Sequence, residues 1–462
     1  MTDAYSSLRP QSTLVDSPGR QSVLGSLRRP LSTAGPSLAP PLLYSASAEE
    51  KVVLDIGTHT MRAGFSGDTS PLHTCALAGS YAGRGAMGRL LAASPAGLDV
   101  AVPQIDDATL DALLLAQLRR VFGEHLLVDP RARKVVVCEG PLLPVRVKRA
   151  VARVLLGSLR VPLLTLMPAP VTALMTCGLA YGLVVDCGHR GCTAVPVYDG
   201  RPMHALLARS AMGGRALAEN VRGLVAQHGR FRAFGADEGG AVDGAAVDSR
   251  VCEFITHKLL YAGDSDVVYA GGSGVGAADA RDGLSVGHVG GDMARRFGGS
   301  SAGEVRVAVA GGELLVPAWV RARAHEVLLH GDAQNDRPGL VDALVKCIVQ
   351  VPVDLRRLLA SHVLVVGGVA DMPGFRASLL RALRERLRRD SRWRALAACV
   401  RLAGENEPGQ GPDVALASGS VFRASERAWI GASLAVAAKI GGVDIRRDDF
   451  DGYNVPDWTN MV

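Results

Sequence analysis

The sequence predicts an α/β fold built from two related halves. Residues 52–57 (VVLDIG) and 183–188 (LVVDCG) are near copies, and each predicts an apolar strand that ends in Asp-x-Gly before a second apolar run. A third apolar run, Val363–Val366, ends in Gly367-Gly368. Segments with apolar residues at helical spacing lie between these strands, and such alternation is typical of α/β proteins.

The composition is that of a large globular protein. The chain has 462 residues, of which 48% are apolar, so more than one domain is expected. The net charge of +6 is small for this length and does not require a nucleic-acid partner. The eight cysteines form no Cys-x-x-Cys pair, so we expect reduced thiols rather than a zinc site.

Residues 1–48 are predicted to be a disordered tail, because they are rich in Ser and Pro and show no hydrophobic period. A transit peptide is the alternative, since acidic residues are few. Six prolines in this stretch oppose the amphipathic helix that such peptides form. We find no pattern of a secretory signal peptide.

Residues 134–138 (KVVVC) predict a buried strand, and residues 145–156 predict a helix. Residues 163–185 carry no charge and are long enough to span a bilayer. Pro168, Pro170, Gly178 and Gly182 interrupt them, so we predict a loop, a short helix and a buried strand instead of a membrane span.

In the second half, residues 213–225 and 340–351 predict helices and residues 228–247 predict a loop. Residues 262–312 are Gly-rich and predict an elaborated small domain. A long basic helix with eight arginines is expected over residues 376–394, after Pro373-Gly374. This helix could bind nucleic acid or an acidic protein, but a solvated face over the core is the favoured interpretation.

The two Asp-x-Gly turns also indicate chemistry. A glycine turn exposes backbone N–H groups that bind anionic oxygens, and Asp55 and Asp186 at the turn mouths would bind Mg²⁺ through water. Either turn alone would be an ordinary hairpin. Two facing turns, with Gly367-Gly368 allowing close approach of a nucleoside, favour a nucleotide site.

Two other nucleotide folds are disfavoured. The chain has no Walker A motif, which excludes a P-loop NTPase. Residues 272–277 (GSGVGA) partly imitate a dinucleotide fingerprint, but no amphipathic helix follows them, so a flexible loop is expected there.

Five motifs in order resemble actin. Residues 55–68 and 186–200 resemble its two phosphate loops, and residues 213–217 its hinge helix. Residues 354–357 and 363–375 resemble its adenosine segment, and residues 429–433 (WIGAS) its C-terminal signature. The resemblance implies the actin, sugar kinase and heat-shock ATPase fold, with two duplicated α/β domains around a nucleotide cleft.

The same resemblance implies the domain limits. Residues 49–176 plus 426–462 would form the first domain, with a reduced subdomain 2, and residues 177–425 the second. Subdomain 4, at about residues 213–335, would be elaborated.

The resemblance also implies the site. It implies structural ATP or ADP with Mg²⁺, which Asp55 and Asp186 would bind through water. The implied nucleotide-binding residues are Asp55, Gly57, Thr58, Arg62, Asp186, Gly188, His189, Gly214, Arg215, Gly367, Gly368 and Met372.

Departures from the actin pattern argue against an enzyme. Ala169 stands where actin has the Gln that positions the attacking water, and Thr193 stands where it has a nearby His. His189 replaces an acid, and Thr256-His257 replaces the Lys-Glu pair that touches the base. We therefore expect nucleotide binding with little or no hydrolysis.

Within the family, three segments resemble the pointed-end actin-related proteins of dynactin. They are residues 125–134, the pieces 161–164, 169–170 and 173–175, and the ending at residues 455–458 (VPDW). This implies a cytoplasmic, cytoskeletal cap. Its partners would be the filament-forming actin-related protein of dynactin, the small pointed-end subunits and, indirectly, dynein and cargo, but no nucleic acid. The alternatives are a nuclear actin-related protein of a remodelling complex and an active actin-like ATPase.

Overall fold

The structure is a computed structural model that describes residues 50–76, 106–235, 239–242, 249–262, 304–309, 311–332, 335–404 and 422–456. The predicted tail, the Gly-rich residues 272–277, most of the expected small domain and Asp457-Trp458 lie outside these ranges. The reduced subdomain 2 falls largely on residues 77–105 and is likewise outside them. The domain limits therefore stay a prediction.

The first half is organised by a six-stranded mixed sheet in the order β17-β5-β4-β1-β2-β3. Strands β1, β4 and β5 are parallel neighbours, and the β1–β2 hairpin is antiparallel. The strands are β1 (Val52–Ile56), β2 (Thr60–Phe65), β3 (His73–Ala76), β4 (Val135–Glu139), β5 (Leu163–Pro168) and, from the end of the chain, β17 (Val443–Arg446).

The second half has a five-stranded sheet in which β16 is parallel to β6 and β7 is antiparallel to β6. Both halves thus contain the predicted strand–turn–strand unit, β1–β2 in one and β6–β7 in the other. The strands are β6 (Gly182–Cys187), β7 (Cys192–Tyr198), β8 (Arg201–Pro202), β9 (Ala208–Ser210) and β16 (Val363–Val366).

Two smaller sheets lie between β9 and β16 in the chain. The four-stranded sheet has the order β11-β10-β13-β12, and β14 pairs with β15. The strands are β10 (Arg230–Ala233), β11 (Gly240–Ala241), β12 (Val305–Val309), β13 (Gly312–Val316), β14 (Gly331–Asp332) and β15 (Arg337–Pro338). The loop predicted over residues 228–247 was wrong at β10 and β11, whose short runs carry little periodicity.

The α-helices described pack against these sheets. In chain order they are α1 (Asp107–Arg120), α2 (Val145–Ala152), α3 (Ala169–Met175), α4 (Gly214–His228), α5 (Ser249–Phe254), α6 (Ala318–Arg323), α7 (Glu326–His330), α8 (Leu340–Gln350), α9 (Val353–Ala360), α10 (Phe375–Arg389), α11 (Arg394–Ala397) and α12 (Arg427–Ala437). π-Helical turns at Val121–His125, Arg153–Ser158 and Ile255–Leu259 extend α1, α2 and α5.

The apolar stretch at residues 163–185 is a strand, a helix and a strand. The loop predicted at its start was wrong: Pro168 ends β5 and α3 begins at the next residue, so its two prolines mark a strand end rather than a loop. In the part of the chain that the structure describes, no helix is long and apolar enough to cross a bilayer.

The basic helix α10 has its predicted apolar stripe in the core, and the binding role of its arginine-rich face stays untested. Its predicted stripe, Phe375, Leu379, Leu383 and Leu387, is buried in the core of the second half. The helix ends at Arg389 rather than continuing, because the Asp390 carboxylate accepts from the Arg392 backbone N–H in a local turn. Two outward arginines of the helix form ion pairs, Arg386–Asp342 and Arg389–Glu385, and Arg392–Asp390 pairs in the turn that follows.

The buried imidazole of His325 should make the protein less stable in acid. It is 2% exposed beside Ser378 Oγ, and burial, with the nearby Arg323 charge, lowers its pKa to about 4. The unfolded chain takes up this proton near pH 6.5 and the folded chain only near pH 4. The free energy of unfolding should therefore fall across that window. Urea unfolding should show a smaller loss between pH 7 and 4.5 for His325→Gln, and equal losses would contradict this account.

Candidate nucleotide and cation site

The first glycine turn joins β1 to β2 and carries Thr58 and His59. The Gly57 backbone N–H donates to the Thr60 carbonyl oxygen at 2.9 Å, which closes the turn. Asp55 and Arg62 are register partners on the two strands, and Arg62 Nη1 donates to Asp55 Oδ2 at 3.1 Å. Two of the predicted nucleotide-binding residues, Asp55 and Arg62, therefore form an ion pair.

The second glycine turn joins β6 to β7 and is docked on α4. The Gly188 backbone N–H donates to the Gly191 carbonyl oxygen at 3.1 Å. The carbonyl oxygens of Gly188 and His189 accept from the N–H groups of Gly214 and Arg215, at 3.0 and 2.7 Å. The start of α4 thus fixes the turn, and four predicted site residues lie together.

The two acids at the turn mouths act on each other. Burial raises the pKa of Asp186 to about 6, and the negative charge of Asp55 adds to this rise while Arg62 opposes it. Burial also raises the pKa of Asp55, again opposed by Arg62. Two enclosed carboxylates thus share one guanidinium, which leaves an uncompensated negative charge when both are ionised.

The end of β16 lies against the second turn. Gly367 has φ +93°, and a Cβ atom there would lie 2.5 Å from Asp186 Oδ1, so a larger residue does not fit. Gly368 begins the 3₁₀ turn that follows and has open space beside it. Met372 follows that turn and is partly buried against the second core. Of these three predicted residues, Gly367 directly shapes the carboxylate site.

Two buried polar atoms at the site support a bound ligand. Arg62 Nε and Thr193 Oγ1 have no hydrogen-bond partner among the described residues, and Thr193 is the register partner of Asp186. Such atoms beside undercompensated carboxylates fit a hydrated cation with a polar ligand.

A cation here would be bound through water. Among the residues that the structure describes, no three His, Cys, Asp or Glu side chains are arranged as direct metal ligands. Asp55 and Asp186 would therefore contact the hydration shell of the ion. The Mg²⁺ ion of a magnesium nucleotide would supply the positive charge that these carboxylates lack, and the two glycine turns would face the phosphates.

Groups that could activate water are absent from the expected positions. Ala169 begins α3 and packs against the core under α12. Burial, followed by the charges of His59 and Arg190, lowers the pKa of His189 to about 3, so this imidazole is neutral and a weak base near pH 7.

The sequence prediction missed His59. Its ring stacks on that of His189 with centroids 4.5 Å apart. A signal was present, since a histidine follows both Asp-x-Gly motifs within four residues. The contact itself joins residues far apart in the chain and depends on how the two turns approach.

The sequence model of the actin family matches residues 46–232, which include both turns and the start of α4. Residues 46–232 are therefore similar in sequence to the actin family. The described residues form a mixed α/β architecture with an actin-like fold, as the sequence predicted.

Three curated relatives are similar to this chain at low sequence identity. An "Actin-like protein" of Neurospora crassa is 24% identical over 363 residues, 75% of this chain and 86% of the relative. "Actin-related protein 4" of Arabidopsis thaliana is 25% identical over 38% of this chain and 48% of its own length. "Centractin" of Saccharomyces cerevisiae is 25% identical over 56% of this chain. The chain spans 57% of centractin, so the matches to the last two relatives are partial.

Proposed function

We propose that this chain is a non-hydrolysing actin-like subunit that caps the pointed end of the dynactin minifilament. The observation that carries this proposal is that the site keeps the acids and glycine turns of actin's phosphate loops but not the residues that act on water. Asp55, Asp186 and both glycine turns are present, whereas Ala169 and Thr193 stand where actin positions and activates water. Losing such groups costs about 10²–10⁴ in rate, so a bound nucleotide would serve as a structural ligand.

The first two residues of the C-terminal ending that resembles the dynactin subfamily, Val455 and Pro456, contact the first half. Val455 packs against its core, and Lys148 Nζ donates to the Pro456 carbonyl oxygen at 2.6 Å. The Arg149 guanidinium lies over the Tyr453 ring at 3.8 Å. Specific side chains thus hold the described part of this ending on the first half.

The capping role follows from how heterologous contacts propagate. A filament grows because one end of each subunit fits the other end of the next, unless a subunit with an altered face stops it. Compared with actin, the segment between the first turn and residue 134 is short and the segment between Gly214 and Gly367 is long. Both belong to the outer subdomains of the pointed end, which fits a cap. The partners would be the filament-forming actin-related protein and the small pointed-end subunits, in the cytoplasm.

The nuclear alternative is favoured by one comparison, the similarity to plant actin-related protein 4, whereas the similarity to centractin favours the dynactin proposal. Affinity purification of the tagged chain would separate them. We expect dynactin subunits as companions, and remodelling subunits in their place would overturn the proposal.

The nucleotide part of the proposal has its own test. Single-turnover measurement with Mg-ATP should show binding without hydrolysis over minutes. Turnover within seconds would instead support an active actin-like ATPase.

A further inference from the structure

Three histidine rings lie next to each other where the two glycine turns meet, and the ring of His59 stacks on the other two. His59 is in the first turn, His189 in the second, and His257 in the π-helical turn Ile255–Leu259. The rings of His59 and His189 are stacked at 26°, with centroids 4.5 Å apart. The ring of His257 lies 6.3 Å from that of His59 at 27°. We call these three residues the histidine bridge.

The bridge joins the glycine turn of the first half to two segments of the second half. His59 follows β1 of the first half, whereas His189 and His257 belong to the second half. The first two rings are half-buried and the third lies at the exposed edge. Separating the halves would therefore unstack His59 and return apolar ring surface to water.

We propose that the histidine bridge keeps the cleft closed whether or not nucleotide is bound. This proposal rests on the capping function, because a cap must present one constant face to the filament and to its pointed-end partners. In a protein whose closure depended on nucleotide, that face would change with nucleotide occupancy. A contact within the chain removes this dependence.

The electrostatic surroundings favour neutral, stacked rings. Burial lowers the pKa of all three histidines. The charged groups that act on them are cationic: Arg190 and Arg215 near His189, and Lys258 near His257. Protonation would add like charges to this cluster, so the bridge is stable near neutral pH and weakens in acid.

A transition-metal site is the competing interpretation of three clustered histidines. Stacked rings direct their nitrogen lone pairs in their own planes rather than toward a common point. No three-ligand arrangement occurs among the described residues, which fits a contact rather than a metal centre.

The test compares the full-length chain without nucleotide, after chelation of divalent cations, with the same chain in excess Mg-ATP. The radius of gyration from solution scattering should be the same in both states, while Mg-ATP raises the Tm of the native chain only by mass action. The radius of gyration of His59→Ala should increase without nucleotide, and Mg-ATP should return it to the native value.

His125→Ala is the matched control. It removes one ring from a second stacked pair, His73–His125, which lies within the first half with centroids 3.5 Å apart. Its radius of gyration should not depend on nucleotide. If His59→Ala fails to fold, the scattering of the native chain with and without nucleotide still tests the proposal.

Expansion of the native chain on removal of nucleotide would overturn the proposal, as would a His59→Ala chain that stays compact without it. These outcomes are distinct from failure of the proposed function. A chain that caps filaments but opens without nucleotide contradicts only the bridge, and a closed chain that does not cap contradicts only the function.

Discussion

Replacing Gly431 with alanine is expected to destabilise the protein by about 3 kcal/mol or more, because the helices α12 and α3 are in backbone contact at this residue. A Cβ atom on Gly431 would overlap the carbonyl oxygen of Thr172. Thr172 is 1% exposed, so α3 has little freedom to move away. Helix α3 begins with Ala169, which packs against the same core as α12.

The matched control for Gly431→Ala is Gly223→Ala in the middle of α4. A Cβ atom at Gly223 would meet nothing within 4 Å. Alanine should therefore stabilise this helix by about 0.5–1 kcal/mol, through its better helix propensity. Urea unfolding of both variants tests the argument. If both substitutions change the free energy of unfolding equally, contact with the α3 backbone does not prevent a larger side chain at residue 431.

Breaking the Lys148–Glu139 ion pair is expected to cost about 3–5 kcal/mol. Both side chains are almost fully buried, at 3% and 6% exposure, and the pair joins the end of β4 to α2. Glu139→Gln would leave the ammonium group of Lys148 buried without its charge partner. Because Lys148 also binds the Pro456 carbonyl oxygen, the C-terminal ending should become more accessible to proteases.

Two further variants test whether the loss of stability comes from the unpaired buried charge rather than from any change to an ion pair. The double variant Glu139→Gln/Lys148→Met removes both charges and should recover part of the lost stability. Glu124→Gln breaks the Arg120–Glu124 pair, whose side chains are about 60% exposed, and should cost less than about 1 kcal/mol. If Glu139→Gln costs no more than Glu124→Gln, the pair does not stabilise the ending.

Local sequence patterns predicted the elements that carry the site. The repeated Asp-x-Gly strands became the β1–β2 and β6–β7 hairpins, and the run Val363–Val366 became β16 with the limits expected. The leucine stripe of α10 is buried as its four-residue spacing indicated. These predictions succeeded because the signal, an apolar run or a period, lies within one element.

Features that depend on contacts between distant residues were not predicted. The local pattern at β5 predicts a loop, because prolines lie within and just after the strand. Pairing with β4 and β17 decides its structure instead. The histidine bridge joins His59 to His189 and His257, and no local pattern reports such a contact. The shared use of Arg62 by two carboxylates likewise depends on how the two hairpins face each other.

The most direct test of the central proposal is the growth of single actin-like filaments, observed at both ends, in the presence of the purified chain. We expect elongation at the pointed end to stop at substoichiometric chain while elongation at the opposite end continues. The chain should remain at filament ends and should not be incorporated along their length. Incorporation along filaments with continued pointed-end growth would contradict the proposal.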